Sequence, residues 1–126
     1  MRDSRRDLVP PGWPDQVLPP QAQDWERSAV GWLFDLCPAD YRAHEVLRRH
    51  PVVLARFAAG HVGSAVEAAR TGIRTVRADL RGLVTPEVVE AAIAAYEREG
   101  RRLLLVTREI ALVEAALRGE RHVPRL

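Results

Sequence analysis

Gly82-Leu83-Val84-Thr85-Pro86 is the stretch whose reading decides the fold. Gly82 can take the left-handed backbone that ends a helix, and Pro86 suits the first position of the next one. Thr85 stands where a side-chain cap is needed, and Glu87 puts an acid in the first turn. One helix therefore stops here and another starts. Upstream, Val62, Val66, Ala69, Ile73, Val76, Leu80 and Leu83 recur in alternating steps of four and three. Downstream, Val89, Ile93, Tyr96, Gly100, Leu103, Val106, Ile110, Val113 and Leu117 follow a similar rhythm. Both runs are heptad seams. The pattern predicts a long antiparallel helical hairpin, with helices over about 51–81 and 86–118. Pro51 opens the first of them at a position where its missing N–H costs nothing. Gly60, Gly63 and Gly72 each cost about 1 kcal/mol against Ala inside a helix. Gly60 and Gly63 are expected to form a notch for a Trp of the preceding helix, or else the helix breaks near Gly60. Gly100 marks a close approach or a mild bend.

The residues before the hairpin divide into an arm and a short helix. Pro10, Pro11, Pro14, Pro19 and Pro20 keep residues 1–23 out of regular helix. Trp13 is the side chain able to pin that arm to the body. A first helix is expected over about 24–36, capped by Asp24. Its stripe is Trp25, Ala29, Trp32 and Leu36, widened by Val30, Leu33 and Phe34, which leaves Arg27, Ser28, Gly31 and Asp35 wet. Pro38 stops it, Asp40 caps a following turn, and a short helical turn follows near His44 to Arg49. A helix over 51–81 is about 46 Å long and one over 24–36 about 20 Å. The short helix can cover only one end of the hairpin. The broadly apolar positions around Val52-Val53-Leu54, Phe57 and Leu103-Leu104-Leu105-Val106 place it at the open end, in the groove between the long helices. The turn end then projects as a finger with an Ala-rich seam, and residues 120–126 form a tail. The expectation is an all-α protein in a single helical domain over 24–119.

Composition narrows the setting. The chain has 126 residues, 47% of them hydrophobic, and a formal net charge of +2. That suits one domain with a small core. So small a charge gives little reason to expect nucleic acid. There is no Lys, so all fixed positive side-chain charge is Arg, which reads as high-GC bacterial coding bias. The single cysteine, Cys37, excludes an internal disulfide and fits a reducing cytoplasm. Met1 to Pro14 contain no apolar segment of the kind a signal peptide needs. No apolar run approaches the ~20 residues of a membrane span.

Three functional readings follow from different residue sets. The first is a non-enzymatic interaction module, a homodimer or a binder of a helical partner, using Ile73, Val76, Leu80, Leu83, Val84, Val89 and Ile93. The bland role of the same residues is the internal seam of the hairpin. The second is nucleic-acid binding through Arg70, Arg74, Arg77 and Arg81, which share one helical face, helped by Arg2, Arg5 and Arg6. Against it, an antiparallel hairpin would place Arg81 near Glu87, Arg77 near Glu90, and Arg70 near Glu97 or Glu99. The third is a ligand or enzymatic pocket where Trp13, Trp32, Cys37, Tyr41, His44 and His50 converge under the arm. Cys37 lies beside a bulky apolar run without a histidine at catalytic spacing, so it reads as a structural thiol. His44-Glu45 followed by His50 misses the zinc-protease spacing. His50 and His61 lie three turns apart and His122 is in the tail, so no metal site is assigned. Asp35, Asp40 and Glu45 could supply a carboxylate pair, but nothing marks one. No phosphate loop, hydrolase elbow or dinucleotide turn is present, and no cofactor or catalytic residue is assigned.

Pro11-Gly12-Trp13-Pro14, Leu36-Cys37-Pro38-Ala39-Asp40-Tyr41-Arg42, Arg48-Arg49-His50-Pro51 and the ending from Leu117 to Leu126 resemble a group of small all-helical actinobacterial proteins. The likeness spans nearly the whole chain. It implies a bacterial cytoplasmic setting and brings no assigned activity.

Overall fold

A computed structural model describes residues 9–121 and 123. Arg2, Arg5 and Arg6 of the arm, and His122, lie outside the described residues. The described chain is all-α. In order come α1 (Trp25–Asp35), a 3₁₀ turn (Ala39–Ala43), α2 (Glu45–Arg49), α3 (Pro51–Asp79) and α4 (Pro86–Leu117). The helices α3 and α4 pack against each other along their length as the expected hairpin.

The turn forms for the local reasons the sequence supplies. Gly82 takes φ 77°, a conformation that favours glycine. Thr85 is extended, and its hydroxyl accepts from Val88 N–H at 3.4 Å. Pro86 follows at the first helical position. α3 gives up its helical geometry at Leu80, slightly before the expected end. Its helix runs unbroken through Gly60 and Gly63.

Two apolar clusters hold the hairpin. The larger joins Ala29, Leu33 and Phe34 of α1 and Leu47 of α2 to Leu54, Ala55, Ala58, Val62 and Val66 of α3. Leu103, Val106, Ile110 and Val113 of α4 close it. The smaller contains Val76, Val89 and Ile93, flanked by Leu80 and Ala92. Between them the long helices meet through small groups. A Cβ on Gly100 would lie 4.0 Å from the Ala69 methyl, and the Tyr96 ring lies over Gly72 where a methyl would overlap it. Gly72 is therefore the glycine a side chain uses. The expected notch at Gly60 and Gly63 is not filled: a Cβ at either would meet nothing within 4 Å. The Trp residues of α1 go elsewhere. Trp25 packs against Trp13 of the arm, with ring centroids 6.3 Å apart and the planes tilted by 55°, and Trp32 packs against the larger cluster.

The first helix departs from expectation at its start. Asp24 has φ 64° and makes no side-chain cap bond. The chain arrives from Gln21, also at positive φ, and the resulting turn satisfies Trp25 N–H with Ala22 O at 3.1 Å. A capping carboxylate is not needed there. α1 packs against both long helices, more on α3 than on α4. Asp40 lies within the 3₁₀ turn, whose N-cap is Pro38, and makes no cap bond. Ser28, expected to be wet, latches the arm: its hydroxyl accepts from Leu18 N–H at 3.0 Å and donates to Trp25 O at 2.7 Å. The arm itself is a string of proline-led turns that buries Pro14 and Val17.

Candidate functional site

α1 has 11 residues and α3 has 29, so their lengths are about 16 Å and 44 Å. Nothing in the described chain packs over the far third of the hairpin. There the seven residues of the first reading separate into three groups. Val76, Val89 and Ile93 face inward and close the smaller cluster. Ile73 and Leu80 are half-buried at the seam margin. Leu83 and Val84 face out at the tip, with Leu83 75% exposed, and Val88 beside them is also exposed. Three exposed apolar side chains therefore stand at the tip.

One broad face of this finger carries a groove of about 220 Å³. Its floor is Val66, Ala69, Ile73 and Gly100, and its walls are Tyr96 and Leu104. Arg70, Glu97 and Arg101 stand on the rim. The groove exists because the facing residues are small, which lets the backbones approach and leaves the larger flanking side chains standing proud. Sequence reasoning missed Leu104 as a surface residue. It sits one position past Leu103 in an unbroken apolar run, and only the seam register shows that it lies outside.

The Arg stripe is placed as follows. Arg77 donates to Glu90 across the hairpin, as the antiparallel register requires. Glu90 thereby raises the Arg77 pKa further by hydrogen bond and charge. Arg70 instead pairs with Glu67 of its own helix at 2.6 Å, and Arg74 reaches Thr71 at 3.3 Å. Glu99 pairs with Arg102, whose hydrogen bonds hold its carboxyl below the ordinary range. Among the described residues, Arg81 and Glu87 form no ion pair. The face is one of alternating charge rather than a continuous cationic track.

Of the third set, Trp13, Trp32, Cys37 and Tyr41 pack against the larger cluster, and His44 is exposed. Trp13 lines a cleft of about 420 Å³ made wholly by the arm, with Val9, Asp15, Leu18 and Pro19. Tyr41 stands edge-on to His44, Phe57 and His61 at centroid distances of 6.4, 6.0 and 6.1 Å. His50 is exposed where α2 joins α3. Burial pushes the Cys37 thiol up, and the Arg42 charge opposes this only in part. A raised thiol pKa is the reverse of what a nucleophile needs. Asp35 bonds Arg42 at 2.8 Å and Glu45 bonds Arg49 at 2.8 Å, so each carboxylate is held by its own Arg. Among the described residues no three potential ligands meet in a metal-sized cluster, and no helix is long and apolar enough to cross a membrane.

One titratable group is tied to the arm. Burial raises the Glu109 pKa, and the negative charge of Asp15 adds to that. A raised folded pKa means the ionised carboxylate is disfavoured in the fold. The stability this group contributes is present at low pH and is lost as pH rises through the folded value. Glu109→Gln is therefore expected to raise the melting temperature at pH 7 slightly, on the order of 1–2 °C. The difference should close near pH 4. An equal shift at both pH values would show that charge is not its cause.

No family model, curated protein or solved structure matches this chain.

Proposed function

We propose that this protein is a non-enzymatic interaction module that assembles with itself through the helical finger. The observation that carries the reading is the bare tip. Leu83, Val84 and Val88 are exposed together on a finger held by a cluster of only three buried residues. Exposed apolar side chains concentrated at one end of a molecule are a usual mark of a protein-binding site. The setting we propose is a reducing cytoplasm, in keeping with one free, half-buried thiol.

The test uses Leu83→Arg together with Val84→Arg. Both side chains already face solvent, so helicity by circular dichroism should be retained. Each apolar side chain removed from a contact is worth about 1.5–3 kcal/mol, so self-association should weaken at least about a hundredfold. Light scattering across a concentration series should then report a monomer. An unchanged mass with intact helicity would remove the tip as the contact.

A further inference from the structure

We infer that the finger's open face is closed by a second copy of this chain with the two tips side by side, so that α3 of one copy packs on α4 of the other. This deepens the self-assembly reading and rests on it. The register of the hairpin sets which residues stand level. Arg77 and Glu90 are level across the hairpin, because they pair. Seven residues back along α3 is Arg70, and seven on along α4 is Glu97. Another seven brings Gly63 level with Leu104. All six positions belong to the same flank of the two seams, the flank on which the groove opens.

Two identical faces can close about a two-fold axis in two ways. With tips opposed, α3 lies on the partner's α3, and the rows containing Arg70 and Arg77 confront each other. With tips together, α3 lies on the partner's α4. Arg70 then stands level with the partner's Glu97, and Arg77 with the partner's Glu90. At the next level, Leu104 stands level with the partner's Gly63. A Cβ there would meet nothing within 4 Å, so the bare backbone can receive a large side chain. Leu104 is 42% exposed in the single chain and supplies that side chain. Only the tip-aligned arrangement satisfies charge and shape together.

The area is adequate. From the tip to the level of Gly63 is about 31 Å of helix, and two helices side by side are about 18 Å wide. The two copies would bury roughly 1,100 Å² in all, above the ~1,000 Å² a specific interface needs. Every neighbouring pair of helices in the resulting four-helix bundle is antiparallel, which is its ordinary packing.

The test has two parts, both on the full chain. First, a nitroxide is placed at His50→Cys, exposed at the open end and outside the contact, in a Cys37→Ser background, and light scattering is combined with pulsed spin–spin distance measurement. Aligned tips put both open ends together and should bring the labels within about 40 Å, whereas opposed tips would hold them about 60 Å or more apart. A dimer with the long distance would overturn this arrangement and leave self-assembly standing. A monomer at all concentrations, for the unlabelled chain as well, would overturn both. Second, Arg70→Glu and Glu97→Arg should each weaken the dimer about tenfold, and the double variant should recover it. Failure of the double variant to recover, with helicity intact, would overturn the pairing.

Discussion

Leu54→Ala is expected to destabilise the fold by about 2–5 kcal/mol, because it removes a fully buried side chain from a site that cannot collapse around the loss. Leu54 sits where α1, α2, α3 and α4 supply the larger cluster, including Leu33, Leu47, Ile110 and Val113. Walls built from four helices relax little when one side chain is cut back. At this chain length, thermal unfolding should shift down by on the order of 10–20 °C. Ile93→Ala supplies the contrast. Ile93 shares its cluster with only Val76 and Val89 as buried partners. In dilute solution its truncation should cost about 1–2 kcal/mol, below the usual core value because the finger can close up. Amide exchange should show the same order, with the finger opening before the base. Equal costs for the two substitutions in a monomeric sample would mean that the finger is as well buttressed as the base.

Trp13→Ala is expected to cost about 2–4 kcal/mol and to release the arm. The indole Nε1–H donates to Val17 O at 3.0 Å, and the ring lies against Trp25. That one side chain therefore joins a turn in the arm to the first turn of α1. Pro14 and Val17, both buried, are held in place by it and by the Ser28 latch. Loss of the ring should lower the melting temperature and open the segment near Asp15 to limited proteolysis together. Proteolysis without any fall in melting temperature would make the arm an appendage rather than part of the core.

These two sites differ in how they could be read. Leu54 lies in an apolar run next to Pro51, and its burial follows from the broad apolar face expected at the hairpin's open end. The anchoring role of Trp13 followed from its stiff proline neighbours, but its seat did not. The sequence suggested glycine notches for the aromatic rings, yet the rings of the arm and α1 found each other while Tyr96 took Gly72. The candidate interface divides in the same manner. Val76, Leu83, Val84 and Ile93 are all apolar residues in or beside one heptad pattern, so periodicity cannot separate them. Val76 and Ile93 are inside because the helices are still in contact there, and Leu83 and Val84 are outside because the chain is already turning.

By itself the sequence determined the hairpin. A glycine free to adopt positive φ, a proline lacking an N–H and a threonine hydroxyl act within their own few residues, and seam spacing depends only on helical pitch. Tertiary structure decided which helix α1 leans on, how Asp24 enters it, what Ser28 binds and which apolar side chains stay bare. Those outcomes depend on groups distant along the chain competing for the same surface, and no local rule ranks such competitors.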